Sequence, residues 1–187
     1  MNTSVSLKLL KCPQCSTPVP AEEDEAAWVC ATCGVGLQLT DDGLAPLAVH
    51  WAAPRAGTKP DGWRPFWVFG GRARFSQRVS YRGHEDPEPL WDNPVHFFVP
   101  AYTSPLAQLQ SLGADLTRRQ PALQPGRVAG ELKGVTFLPD DARRVAEFVV
   151  LTIEAARPDK LRSVQFDLQL AAPELWVLPF AGEQVLV

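Results

Sequence analysis

The chain has 187 residues, of which 45% are apolar and 21% charged, with a net charge of −3. This is ordinary globular composition, and the length suits one domain of moderate size beside a small one. The longest stretch free of Asp, Glu, Lys and Arg runs from Asn93 to Ala114 and is broken by Pro94, Pro100 and Pro105, so no membrane insertion is expected.

In chain order, Met1–Lys11 holds only a short apolar patch, Val5–Leu10, and does not read as a secretory leader. A cytoplasmic protein with reduced thiols is expected. Two tight turns follow, Cys12-Pro13-Gln14-Cys15 and Cys30-Ala31-Thr32-Cys33-Gly34, with a polar, acidic loop between them. Trp28-Val29 leads into the second turn as a strand. Val35, Leu37 and Leu39 alternate with small or polar residues on the way out. Residues 1–45 carry a net charge of −4, and residues 46–187 carry +1.

All four cysteines fall within the first 33 residues, which favours a local metal site over a chain-wide disulfide framework. Their pattern is C-x2-C-x14-C-x2-C. Two intervening residues let one turn aim both sulfurs at a single ion, and two such turns supply four thiolates in the tetrahedral geometry that suits Zn²⁺. Iron in a rubredoxin-like site and a redox-active CxxC pair are the alternatives. The former usually has a longer separation, and four thiols at this spacing satisfy a metal better than they act singly. Cys12, Cys15, Cys30 and Cys33 are therefore expected to hold one structural Zn²⁺. With all four positions filled by protein, no site is left for a catalytic water.

These two turns resemble the knuckles of the zinc-ribbon superfamily, with Gly34 in place after the second pair and Ser16 where the first commonly has glycine. The resemblance covers about 40 residues and implies a fold and a metal rather than a function. Zinc ribbons occur in transcription factors, helicases, ribosomal proteins and protein-interaction adaptors.

Residues 52–65 are rich in Pro, Gly and charge, and residues 46–65 are expected to link the ribbon, residues 1–45, to a second domain, residues 66–187, with Leu47–Trp51 open to either side. There, Phe66–Phe69 reads as a strand and Gly70-Gly71 as a bend or bulge. Arg72–Arg82 alternates, with Arg72, Arg74, Arg78 and Arg82 of one parity. Residues 83–94 read as loop and Val95–Val99 as a strand. Ser104 as N-cap and Pro105 at the first position open a helix with Leu106, Leu109, Leu112 and Leu116 at helical spacing. Val135–Leu138 reads as a short strand. A second helix over about 141–156 has Val145, Phe148, Val149, Thr152, Ile153 and Ala156 as its apolar face. Alternating Val164–Leu170 and a final strand Leu175–Phe180 complete the pattern. The expected class is α+β, with a mainly antiparallel sheet and about two helices.

Function is less marked. His50, His84 and His96 lack metal-ligand spacing, and no G-x-S-x-G, P-loop or dinucleotide fingerprint occurs. Asp140-Asp141 fits a helix start. An enzyme is not expected. A shared parity puts the four arginines on one strand face, which reads either as the solvated outer face of an antiparallel strand or as a docking stripe for an acidic partner or nucleic acid. Trp63 and Trp91 fall in loops and are candidates for exposed contacts. Trp67 and Trp176 read as core. The expected role is a non-enzymatic adaptor that docks on another protein. The alternative is a nucleic-acid-binding accessory factor, which the acidic ribbon disfavours, because affinity for phosphate backbones comes from Lys and Arg.

Overall fold

The structure is a computed structural model that describes residues 10–19, 24–83, 86–127 and 134–187. Among these residues two sheets and two helices form an α+β fold. Strands β1 (Ala27–Val29), β2 (Gly36–Thr40) and β3 (Gly43–Leu47) make a three-stranded antiparallel sheet in that order. Gly43, at φ 124°, turns β2 into β3, and the Thr40 hydroxyl donates to its carbonyl at 2.8 Å. Leu37 and Trp28 pack with Cys12, Val19 and Cys30 into a small core.

The larger sheet contains β4 (Val49–Trp51), β5 (Gly62–Ser80), β6 (Val95–Pro100), β7 (Leu161–Leu170), β8 (Glu174–Ala181) and β9 (Gln184–Val185). Its order is β4-β8-β5-β6, with β7 also on β5 and β9 on β8. Only β4 and β8 run parallel. The spine is β5, 19 residues long. It pairs with β8 over 62–68, with β6 over 66–71 and with β7 over 71–80. Gly70-Gly71 therefore lies inside a continuous strand, where the pairing passes from β6 and β8 to β7. A Cβ at Gly71 would run into the Gln169 carbonyl, so glycine permits the close approach of β7.

The two faces follow the strand period of two. One face presents Trp67, Phe69, Ala73, Phe97, Val99 and Leu175 to α2 (Pro139–Ala155). The other presents Phe66, Val68, Phe98, Trp176, Leu178 and Phe180, which pack with Leu109, Leu112 and Leu116 of α1 (Leu106–Arg119). Each large apolar side chain buried this way contributes roughly 1.5–3 kcal/mol before entropy is counted.

Several local expectations change. Pro105, not Ser104, is the residue before the first helical turn, with φ −53° and ψ 134°. The residue before a helix needs extended torsions, and proline's fixed φ supplies them. The Ser104 hydroxyl instead contacts the side chain of Gln108. Val135–Leu138 is not a strand: Val135 makes a single bridge to Ala27, and the Phe137 carbonyl accepts the Trp67 indole N–H at 2.8 Å. The inward face of α2 is rotated from the expected one. Ala142, Ala146, Val149, Val150 and Ile153 are buried, whereas Phe148 is 47% exposed. Small alanines let the helix sit close to the sheet, and that selects the buried face.

Of residues 46–65, expected as linker, Val49–Trp51 is a strand of the large sheet and Gly62–Pro65 opens β5. Contacts tie the two sheets together. The Ala26 N–H donates to the Val135 carbonyl at 2.6 Å, and Ala27 is buried in the core beneath α2. Its neighbour Trp28 points the other way, into the cysteine core.

Candidate metal centre

Each cysteine pair sits on a turn closed by its own backbone. The Cys12 N–H donates to the Thr17 carbonyl at 2.9 Å, and the Ser16 N–H donates to the Cys12 carbonyl at 2.8 Å. In the second turn the Cys30 N–H donates to the Val35 carbonyl at 2.9 Å, and the Gly34 N–H donates to the Cys30 carbonyl at 2.8 Å. The two turns match at the residue after the second cysteine. Ser16 has φ 61° and Gly34 φ 73°, both left-handed.

The turns bring the sulfurs together. Cys12 Sγ lies 3.6 Å from Cys33 Sγ, and Cys15 Sγ lies 3.5 Å from Cys30 Sγ. All four sulfurs fall within 4.8 Å of one another. Four thiolates about 2.3 Å from one tetrahedral ion stand about 3.8 Å apart, so the cluster has the span of a single-ion site. Cys12 and Cys30 are buried, while Cys15 and Cys33 are partly open. Hydrogen bonding between Cys15 and Thr17, with Sγ and Oγ1 3.3 Å apart, draws the Cys15 thiol down to about 6. A backbone hydrogen bond at Val35 pulls Cys33 down, but burial and the other three sulfurs outweigh it and push that thiol up to about 12. The cluster thus resists holding several bare thiolates at once, a repulsion that a bound cation relieves.

The other candidate residues do not form one surface. Arg72 and Arg74 are exposed on β5, and Arg82 is exposed in the turn beyond it. Arg78 is 4% exposed and points inward. The pairing of β5 with β7 shifts register between Phe75 and Gln77. The extra residue, Ser76, reverses the strand's parity, so Arg78 and Ser80 turn in and Tyr81 turns out. The expected four-arginine face does not exist. Nor are the two loop tryptophans exposed. Trp63 is 4% exposed, lies in β5 and meets Trp51 edge-on at 5.4 Å. Trp91 is 5% exposed in a 3-10 turn, Pro89–Asp92, and stacks on Phe97 at 5.9 Å. Amphipathic indoles bury readily once the N–H finds an acceptor, and Trp91 donates to Glu154 Oε1 at 2.8 Å. Trp67 and Trp176 are core residues, as expected.

What the sequence reading missed is the ionic cluster around Arg78. Arg78 Nε donates to Glu154 Oε2 at 2.6 Å, and its two terminal nitrogens reach Asp159 at 2.6 and 3.0 Å. Glu154 is fully buried and also accepts from the Glu88 N–H at 2.8 Å and from Arg157 at 3.2 Å. Burial opposes the charge of Glu154, but these donors hold its carboxyl below the usual range. The Arg78 fork does the same for Asp159. A signal was present: Glu154 stands four residues after Val150, on the buried stripe of α2. His84 lies outside the described residues. His50 stacks on Trp176 at 4.9 Å, and His96 is exposed.

No protein-family model matches the chain, and neither the curated proteins nor the solved structures yield a match. The site therefore stands on its geometry. Four cysteines are gathered within reach of one ion at the end of a three-stranded sheet, as in a zinc ribbon. No helix among the described residues is long and apolar enough to cross a membrane.

Proposed function

We propose that the four cysteines bind one structural Zn²⁺ and that the chain is a non-enzymatic adaptor that docks on another protein. The observation that carries the metal reading is the donor set: among the described residues, four sulfurs lie within 4.8 Å of one another with no other ligand in the group. Thiolate-only tetrahedral sites suit zinc, and four protein ligands leave no open position for a substrate or a reactive water. The metal supports a fold in this reading, and function falls to the surfaces it braces. Arg72, Arg74 and Arg82 remain as exposed contact residues, and the net charge of −3 speaks against gripping a phosphate backbone.

Elemental analysis of the reduced, full chain tests the metal, with one zinc per chain expected and Cys30→Ser expected to lose it. Iron, or no tightly held metal, defeats that half. Gentle affinity purification from the source organism tests the docking half. A stoichiometric protein partner is expected, and recovery of the chain alone defeats it.

A further inference from the structure

The sheet face that α1 helps to cover is covered over only part of its length. On β5 that face carries Phe66, Val68, Gly70, Arg72 and Arg74 in succession. Phe66 and Val68 are buried in the core with Leu109 and Leu116, whereas Arg72 and Arg74 are exposed. At the boundary is a cleft of about 560 Å³, lined by Val68, Gly70, Phe98, Leu123 and Trp176, with His96 and Glu174 also in its wall.

Two features shape the cleft. Gly70 leaves room, because a Cβ there would have no neighbour within 4 Å. The Trp176 indole is fixed, since its N–H donates to Glu174 Oε2 at 2.8 Å and its ring stacks on His50. Gln120 is already used: it donates to and accepts from the backbone of His96, at 2.8 Å each way. The hollow therefore offers an apolar floor and few free polar groups. Val68 and Phe98 are themselves almost covered, so the floor suits a single inserted side chain better than a large apolar ligand.

The arginines complete the surface. Arg72 lies one pleat beyond Gly70 and Arg74 one further, steps of about 7 Å along the strand. Neither makes an ion pair with a described residue, although Asp167 stands across from Arg74 on β7. Their spacing matches the i, i+2 side chains of an extended peptide. Guanidinium forks take carboxylates in two-point contacts.

We propose that this face binds an acidic, extended segment of a partner protein, with one aromatic or large aliphatic side chain seated over Gly70 and flanking carboxylates held by Arg72 and Arg74. The proposal rests on the docking reading above and names the chemistry of the partner.

The test is fluorescence polarisation of the metal-loaded full chain with a fluorescein-labelled heptapeptide, Glu-Asp-Glu-Phe-Glu-Asp-Glu. Companion peptides replace the central Phe with Leu, Trp or Ala, or every acid with Lys. Saturable binding of at least one apolar-centred acidic peptide is expected, weakening at least tenfold with central Ala and with rising salt. Gly70→Leu fills the hollow and is expected to weaken binding at least tenfold while leaving the melting temperature unchanged. The double variant R72E/R74E keeps the test alive if Gly70→Leu misfolds, and the same loss is expected from it. The proposal is overturned if no apolar-centred acidic peptide binds, if the Ala or Lys peptide binds equally, or if neither variant weakens binding. Self-association in sedimentation that competes with the peptide also overturns it, since the face would then belong to a second copy. Repeating the affinity purification with Gly70→Leu separates the two readings. A partner retained by the variant removes this cleft and leaves the adaptor standing, whereas no partner with the unmodified chain removes the adaptor.

Discussion

Ser16 holds the left-handed conformation that Gly34 holds in the second turn, and it does so with a side chain. A Cβ in that region costs roughly 1–2 kcal/mol, part of which glycine would give back through its greater freedom in the unfolded chain. Ser16→Gly is expected to raise the stability of the metal-loaded protein by up to about 1 kcal/mol, and Gly34→Ala to lower it by about the same, both measured by urea denaturation. At Arg78 the stakes are higher. Arg78→Leu strips the buried Asp159 of its two-point contact and leaves the buried Glu154 with Arg157 as its cationic partner, so a loss of about 3–5 kcal/mol is expected in the same assay. The carboxyls also set a pH limit. Both are held below their usual range, so their contribution is complete above the unfolded-state values and is lost as pH falls through the lower folded ones. Stability is expected to decline below about pH 4. Glu154→Gln should flatten that acid limb in thermal melts across pH. The cysteines were legible because their spacing is itself a geometric requirement. Arg78 was not, because one inserted residue reverses parity and nothing in RARFSQRVS marks which residue is inserted.

Among the elements, β5 shows how a pattern can be read in fragments. An aromatic run, two glycines and an arginine run looked like separate pieces, yet they form one strand whose neighbours change along it. Gly71 signals close approach by a neighbouring strand rather than a bend, a distinction that requires knowing what β7 does. Gly113 in α1 carries the same message. A Cβ there would lie 2.7 Å from the Phe98 carbonyl and 2.9 Å from Val149. Alanine is the better helix former by about 1 kcal/mol, yet Gly113→Ala is expected to destabilise by about 1–3 kcal/mol, because α1 must move off both β6 and α2. Equilibrium unfolding decides the sign. Helical periodicity located α1 and α2 correctly. It misassigned the inward face of α2, because bulk marks apolarity whereas closeness to a sheet favours alanine. The strands expected at Phe66–Phe69, Val95–Val99 and Leu175–Phe180 became parts of β5, β6 and β8, which are neighbours in the large sheet.

For the molecule as a whole, the separation into ribbon, linker and domain gives way to sheets that share a seam. Ala27 is buried in the large core, Trp28 is buried beside the cysteines, and Leu47 and Val49 pack against the large core. Gly36 and Gly134 fit this seam closely, since a Cβ on either would strike Val49 or Glu25. Metal removal is therefore expected to lower the melting temperature of the entire chain in one calorimetric transition. Two separate transitions would show that the halves fold independently.

With an ion held as proposed, that seam at Ala27 and Trp28 would make metal supply a variable of the whole chain's folding equilibrium. An ion bound only by the folded state adds about 2.7 kcal/mol when its free concentration is about 100 times the dissociation constant, and the amount shrinks logarithmically with scarcity. Protease susceptibility of the large sheet, far from any cysteine, would then rise as free metal falls, and abundance would follow metal supply with no sensor beyond the shared strand.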